Sequence, residues 1–309
     1  MRASIADFYK KQIVLADGFI SNLTYEEYEL GDITLSSTYS GKNEDLDLEA
    51  SLNFKDQELL KFKGGYNVSS ENPLSGQISL NGVNLKVLNA FDIPEVNEYS
   101  GTASGKIAVT GDFNQPVLDG YIDFDQATFR VEYLNTYFTF SDRVRVEEDW
   151  FGIDYKPIYD SRGNKGFIVA SAFHNNFSGW SYDISADVDD FFLLNTTRKL
   201  NNMYYGTAYG SGTLQLGGYD GFLEINVDAK TSKGTVIKLP LDEAEEVTLE
   251  NFVYFVSDKE ENMTEEREAD LSGVELRLNV DATPDAEVQL IFDEKAGDII
   301  RGSGQGRLT

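Results

Sequence analysis

Apolar and polar side chains alternate along most of this 309-residue chain, and this alternation constrains the fold more than any other feature. In residues 205–241, Leu214 and Leu216 are followed, after a turn, by Ile225 and Val227 at the same spacing of two. In an extended strand this spacing places every apolar side chain on one face. The stretch therefore predicts three strands separated by turns, and the same period elsewhere predicts an all-β fold.

The N-terminal residues depart from this period. Apolar positions within residues 4–13 are spaced as in an amphipathic helix, and Ser4 is a suitable N-cap. We therefore expect a lead segment with a short helix in residues 1–17. The remainder, residues 18–309, is expected to be a single elongated and repetitive β-domain.

Three further predictions concern local structure. Residues 83–91 change period and predict a helical or irregular corner. Residues 189–204 interrupt the strand period and predict a long crossing loop or a short helix. Alternating runs on either side of residues 283–285 predict a final hairpin.

Part of the sequence is repeated. The Gly-Thr-Ala sequence of residues 101–103 recurs at residues 206–208, 206 − 101 = 105 positions later, and both copies continue into Gly-rich alternating strands. A weaker third copy, residues 302–308, ends with the chain. Repeated β-units are typical of arrays in which each unit covers the open edge of its neighbour. We therefore expect a piece of a longer protein.

The composition limits the partners. There are 26 basic and 53 acidic residues, so the formal net charge is −27. Such a surface repels phosphate backbones and anionic headgroups, which argues against nucleic-acid binding and against docking on an anionic membrane. The chain has no cysteine, so neither a disulfide framework nor thiol chemistry is expected.

The sequence contains no evident targeting or spanning segment. Its N-terminus lacks the continuous apolar core of a signal peptide. No run approaches the roughly 18 apolar residues of a membrane span. Either the protein is cytosolic or the sequence is part of a longer exported chain.

Residues suited to catalysis or metal binding are few. His174 is the only histidine, which excludes a Ser-His-Asp triad and His-rich zinc sites, and it is interpreted as a structural residue at a strand end. Acidic runs at 187–190 and 293–298 lack the spacing of a calcium loop. The glycines of residues 206–218 lie within strands and lack the phosphate-loop pattern. We therefore expect no enzyme activity, no cofactor and no metal.

The apolar stripe itself has two interpretations. It could form the closed core of an ordinary sandwich, or the inner face of an elongated and partly open sheet that is accessible to lipid chains. Periodicity alone does not separate these two structures.

Several ordered segments resemble the C-terminal region of the TamB family, the translocation and assembly module subunit, in its Bacteroidetes-type form. This family is placed in the AsmA-like, or bridge-like, lipid transfer superfamily. The resemblance covers most of residues 100–308, and residues 18–98 match more loosely. Its segments are residues 116–120 (PVLDG), 194–195, 202–206, 231–240 (TSKGTVIKLP), 252–255 and, most specific of all, 283–306 (TPDAEVQLIFDEKAGDIIRGSGQG).

The resemblance implies a β-taco, which is a long β-sheet folded lengthwise into a trough with an apolar interior. It also implies a periplasmic protein tethered to the inner membrane by an N-terminal segment absent from this chain. Members of the family are associated with assembly of outer-membrane proteins through a TamA-like barrel partner, largely by parts outside this fragment. They are also associated with phospholipid transport between the two membranes and with protein secretion.

We therefore predict a periplasmic bridge segment whose apolar groove carries phospholipid acyl chains. With strands about 4.8 Å apart, roughly 20 rungs would make a trough on the order of 95 Å long. The predicted groove residues are Leu46, Leu48, Leu52, Phe54, Ile107, Val109, Ile122, Phe124, Phe129, Val131, Leu214, Leu216, Ile225, Val227, Leu276, Leu278, Val288 and Leu290.

Two other functions remain open at this point. A scaffold or chaperone-like protein would bind outer-membrane barrel precursors by adding strands at an exposed sheet edge. An acidic surface adhesin or carbohydrate-binding protein would require an aromatic platform, whereas the aromatic residues are spread along the chain.

Overall fold

The protein is almost entirely β-structure arranged in one sheet. The computed structural model describes residues 2–6, 13–25, 28–40, 45–67, 69–90, 96–219, 221–241, 273–293 and 296–308. Within these ranges, twenty strands belong to a single sheet, and the only helix is a 3₁₀ helix at Leu85–Ala90. The predicted all-β fold is confirmed.

The strands vary from 3 to 19 residues in length. Their bounds are β1 Arg2–Ala6, β2 Ile13–Tyr25, β3 Tyr28–Ser40, β4 Asp45–Phe54, β5 Gln57–Asn67, β6 Leu74–Asn84, β7 Val96–Asp112, β8 Gln115–Val131, β9 Thr136–Phe140, β10 Arg143–Glu147, β11 Trp150–Asp160, β12 Lys165–Asn175, β13 Ser178–Thr196, β14 Tyr205–Tyr219, β15 Phe222–Thr231, β16 Val236–Pro240, β17 Val274–Ala282, β18 Glu287–Asp293, β19 Asp298–Ser303 and β20 Gly306–Leu308.

The strands follow one another across the sheet nearly in chain order. β1 to β8 are consecutive and antiparallel. Further along, four positions hold two short strands end to end, namely β9 with β10, β15 with β16, β17 with β18 and β19 with β20. Because four positions are shared, the twenty strands fill sixteen positions. At about 4.8 Å per position the sheet extends about 70 Å in the hydrogen-bonding direction, which is shorter than expected.

The final hairpin predicted at residues 283–285 is wrong. β17 pairs in parallel with β15, and β18 pairs in parallel with β16, so β17 and β18 continue in one direction instead of folding back on each other. The turn between them lies beside the turn that separates β15 from β16. There the Thr283 N–H donates to Thr231 Oγ1 at 2.9 Å, and the two hydroxyl oxygens are 3.1 Å apart.

Of the other local predictions, one is confirmed, one holds in part and one is wrong for the described residues. Residues 83–91 do contain a corner, the 3₁₀ helix. In the stretch 189–204, β13 continues to Thr196, because a bulge at Asp190 (φ 51°) keeps the strand paired with β14. Residues 197–204 contain no strand and form the predicted loop between β13 and β14. The short N-terminal helix is wrong for Arg2–Ala6, where sheet pairing with β2 overrides the local helical period, and residues 7–12 lie outside the described ranges.

Most strands from β7 to β18, although not β12, are interrupted along a line that we call the crease, and this line is displaced along the strands between β11 and β13. Gln126 (φ 49°) interrupts β8, and its N–H donates to the hydroxyl of Ser141, which lies between β9 and β10. The backbone N–H of Asp190 likewise donates to the hydroxyl of Ser211 in β14. The crease comprises Gly101, Gln126, residues 141–142, 154–155 and 189–190, Ser211, and residues 232–235 and 283–286.

The crease folds the sheet lengthwise into two unequal parts. The long wall contains most of β2 to β8, β10, β15, β17 and the neighbouring ends of β11 to β14. The short wall contains β9, β16, β18 and the opposite ends of β11 to β14. Phe138, Ile158 and Phe191 of the short wall form the buried core cluster, against which Ile168 and Val188 of the long wall pack. The core therefore lies inside the fold of the sheet.

Gly101 provides a test of the crease. Its φ is +100°, and a Cβ at this position would collide with the carbonyl oxygen of Gln126. We expect Gly101→Ala to lower the free energy of unfolding by about 2–4 kcal/mol, because both backbone strain and overpacking oppose the side chain. The control is Gly302→Ala, where an added Cβ meets nothing within 4 Å. Equal urea midpoints for the two variants would contradict this account of the crease.

Acid should weaken the ion pairs near the crease. The Asp142 carboxylate accepts the Arg143 backbone N–H and lies 3.0 Å from Lys156 Nζ, and these interactions lower the pKa of Asp142. Hydrogen bonds from the Arg143 guanidinium lower the pKa of Asp123 in the same way.

A carboxyl group with a depressed pKa stabilises the fold above its unfolded pKa of about 3.9, and this contribution is lost as the pH falls through the folded value. We expect the double variant Asp123→Asn with Asp142→Asn to lose less stability than the parent between about pH 4 and pH 2. Urea unfolding at a series of pH values measures this difference. Identical acid dependence in both proteins would contradict it.

Candidate functional site

The apolar side chains of successive strands meet in rows across one face of the sheet, which we call the inner face. Residues directly opposite each other on paired strands share a face. The longest row contains Gly18, Leu35, Ala50, Phe62, Ile78, Ile107, Gly120, Val146, Phe151, Ala172, Tyr182, Gly218 and Leu223. Apart from Tyr182, every member is apolar or glycine, so the alternation of each strand combines into a continuous apolar surface.

Shorter rows run beside the longest one. One row extends from β2 to β10. A second row extends from β11 to β17 and contains Leu216, and a third extends from β12 to β17 and contains Leu214. The rows are Ile20, Ile33, Leu52, Leu60, Leu80, Gly105, Ile122 and Val144; then Ile153, Ala170, Ile184, Leu216, Ile225 and Leu276; and then Ile168, Ala186, Leu214, Val227 and Leu278.

Most of the predicted groove residues lie on this inner face. Phe129 and Val131 reach it beyond the crease, where they pack against the core cluster. The other members on the long wall are Leu46, Leu48, Leu52, Ile107, Val109, Ile122, Phe124, Leu214, Leu216, Ile225, Val227, Leu276 and Leu278. Their contact with lipid stays a prediction.

Three predicted residues lie apart from these rows. Phe54 follows a shift of register at the end of β4, and the Lys55 ammonium lies 4.8 Å from its ring centre. Val288 and Leu290 lie in β18 on the short wall and are half-buried. The alternate residues of that strand are buried more deeply, Ile291 at 1% exposure.

The inner face is closed near its middle. The rings of Phe138 and Phe191 stack with their centres 6.1 Å apart, and Phe191 is only 1% exposed. Val146, in the long row, is likewise 1% exposed. Ile168 and Val188 of the long wall pack against this cluster, so in this part of the fold the two walls contact each other as in a closed core.

Towards both ends of the sheet the inner face is open. Near the first strands, Ile20 and Leu35 are 52% and 46% exposed. Near the last strands, Leu276 and Leu278 are 59% and 45% exposed. The same apolar rows that are buried in the middle therefore present large side chains to solvent at each end.

Sequence reasoning missed the residues that close the middle. Phe191 lies in the stretch that was predicted to be a loop or helix, although its run of apolar neighbours, residues 191–194, is typical of a buried strand. Phe138 and Ile158 follow the apolar alternation of their strands. Their contact with Phe191 depends on the crease, which brings together residues that are distant in the sequence.

The polar residues inside the described structure have structural roles. The Asp160 carboxylate is 4% exposed and accepts the backbone N–H groups of Arg162, Asn164 and Phe192 at 2.7–2.9 Å. His174 Nδ1 accepts the Phe177 N–H at 3.2 Å at the end of β12, in agreement with its interpretation as a structural histidine.

The described ranges contain neither a metal-binding cluster nor a membrane-spanning helix. There, no three His, Cys, Asp or Glu side chains are grouped closely enough to hold a metal ion. No helix in those ranges has the length and apolar character needed to cross a membrane.

A folded single sheet with an apolar inner face defines the class of elongated β-troughs. Residues 158–309, from near the end of β11 onward, match the model of the family described as the TamB C-terminal domain, and this part of the chain is a TamB-type C-terminal region. The family connects the chain with the translocation and assembly module and with a periplasmic, membrane-associated setting. Neither a curated protein nor a solved structure matches the chain.

The family match is shorter than the predicted resemblance, which began near residue 100. It includes the specific segments 231–240 and 283–306, which form β16 and the strands from β18 onward. The segment 252–255, which also carried the resemblance, lies outside the described residues.

Truncating a side chain in the closed middle should lower the free energy of unfolding more than truncating one at an open end. Phe191→Ala should lower the free energy of unfolding by about 3–5 kcal/mol, because it leaves a cavity between the two walls. Leu278→Ala should cost about 1 kcal/mol or less, because that side chain is already half exposed. Denaturant titration of both variants measures the difference, and similar losses would show that the inner face is equally closed along its length.

Proposed function

We propose that this chain is a bridge segment of the periplasm whose inner face carries phospholipid acyl chains between membranes. The observation that supports the proposal is the continuity of the apolar rows, which cross nearly all positions in the sheet and expose Leu276 and Ile20 at opposite ends. The core of a closed sandwich does not require large exposed apolar residues at both ends of the sheet.

The energetic benefit of such a surface follows from the cost of exposing acyl chains to water. Moving a phospholipid with two chains of about 15 methylenes into water costs on the order of 24 kcal/mol of free energy, at about 0.8 kcal/mol per methylene. A continuous apolar surface removes most of that cost while the headgroup stays in solvent. The function requires no chemical step, so we propose that the protein is not an enzyme.

The proposal includes a membrane setting and a protein partner. The TamB-type region supports a role with a TamA-like barrel protein in outer-membrane protein assembly and secretion. We propose that the whole protein is tethered to the inner membrane and that this region lies within the periplasm. The net charge of −27 supports this placement, because it favours a solvated surface and repels anionic headgroups.

A scaffold that binds barrel precursors is the second candidate. One observation favours it: among the described residues, residues 275–279 of β17 pair only with β15, and β20 pairs with β17 only from Val280 onward. The outer edge of β17 therefore has backbone groups able to add a strand.

A photo-crosslinking amino acid separates the two candidates. Placed at Leu216 on the inner face of the chain in cells, it should capture phospholipid. At Gln215, the exposed neighbour on the opposite face, it should not. Mass spectrometry of the captured material gives the result. Recovery of barrel precursors without lipid at Leu216 would refute the conduit and favour the scaffold.

A further inference from the structure

The outward side chains of β12 include three apolar residues, with Ser171 between two of them, in contrast to the polar outer face of β13. Phe167, Val169 and Phe173 lie on that face, opposite to the inner face, and Val169 and Phe173 are 39% and 44% exposed. The residues that follow Val169 across β13 and β14 are Ser185 and Gln215, both polar. Exposed apolar groups concentrated on one strand of an otherwise polar face indicate a binding surface.

Aromatic rings lie at both ends of this strip. Tyr155 is presented by the bulge in β11 and is 59% exposed, and its ring stacks parallel on Phe167 with centres 4.6 Å apart. At the other end, Trp150 lies flat across Gly152 and pairs with Phe173. Phe167 and Phe173 are six residues apart on one strand, which corresponds to about 20 Å. We call Tyr155, Phe167, Val169, Phe173 and Trp150 the aromatic strip.

Polar groups suited to hydrogen bonding lie beside the strip. A shallow depression of about 150 Å³ is lined by Tyr155 and Phe167 on one side and by Ser185, Asp187 and Gln215 on the other. It therefore combines flat aromatic surface with a hydroxyl, a carboxylate and an amide. An acyl chain would leave these polar groups without partners, so this surface is unsuited to the lipid proposed for the inner face.

We propose that the aromatic strip binds a neutral glycan strand. The face of an aromatic ring carries partial negative charge, to which the polarised C–H groups on one side of a sugar ring are complementary. The sugar hydroxyls would bond to Ser185, Asp187 and Gln215. An extended chain of sugars matches an elongated strip with rings at both ends better than a compact ligand does.

Charge decides against an acidic glycan. The net charge is −27, and Asp183 and Asp187 are exposed on the same outer face of β13. Two cations lie over rings of the strip: Lys165 Nζ is 4.7 Å from the ring centre of Phe167, and the Arg145 guanidinium is 4.7 Å from that of Trp150. Arg145 is itself paired with Glu147 and Asp154. Polyanions would therefore be repelled, whereas an uncharged sugar chain would not. The surface lies on the opposite face from the apolar rows, so it is independent of lipid carriage.

The test uses the 309-residue chain and the β-1,4-linked hexamer of N-acetylglucosamine as the probe. Calorimetric titration should give saturable binding by the parent. Tyr155→Ala should weaken the binding at least tenfold by removing a ring face, and Val169→Asp should do so by placing a charge in the middle of the strip. The matched control is Tyr219→Ala, since Tyr219 is 62% exposed but lies at the end of β14, outside the strip.

Three results would overturn the proposal. They are failure of the parent to bind the hexamer at millimolar concentration, equal weakening by Tyr155→Ala and Tyr219→Ala, and capture of a protein instead of a glycan by a photo-crosslinker placed at Val169 in cells. None of them bears on lipid capture at Leu216, so the two proposals succeed or fail separately. Circular dichroism of the variants confirms that they remain folded.

Discussion

Backbone hydrogen bonding between neighbouring strands of a single sheet is the constraint on which this structure depends. Each strand satisfies most of its N–H and C=O groups through the strands beside it, so the described part of the chain forms one continuous ladder. The same pairing fixes the register of every strand. Because side chains have a period of two, a correct register brings Leu216 beside Ile225 and Ile225 beside Leu276, and apolar rows result. A slip of one residue in any strand would interrupt those rows.

The crease converts this surface into a trough. A flat sheet of this width would leave its apolar face in water, whereas folding it lengthwise lets Phe138 and Phe191 cover Ile168 and Val188. Polar groups support the fold line: Ser141 and Ser211 accept backbone N–H groups that the bulged strands leave unpaired. The short wall covers only part of the long wall. The inner face is therefore a packed core at its middle and an accessible apolar surface at its ends, which combines the two interpretations of the stripe.

The two faces of the sheet have different chemistry and so allow different partners. Apolar rows on the inner face suit acyl chains, and the aromatic strip on the outer face of β11 and β12 suits a ligand that has both flat apolar surfaces and hydroxyl groups. β17 is parallel to β15, and among the described residues no strand pairs with the outer edge of residues 275–279, which adds a third surface near the end of the sheet. A TamB-type region at residues 158–309 contains the aromatic residues of β12 and this edge, and the apolar rows continue from it to the first strands.

Alternation with a period of two predicted most of the strands and their apolar faces, and long ordered segments indicated the family of residues 158–309, because both are local properties of a sequence. Of the eighteen predicted groove residues, fifteen lie on the inner face. Alternation was sufficient for these, because it fixes which side chains of a strand share a face. It did not determine that Phe191 continues β13, that residues 283–286 form a corner instead of a hairpin, or that Tyr155 stacks on Phe167. Those features were decided by the tertiary structure, because bulges and parallel pairing join residues that are distant along the chain and change which face a side chain occupies.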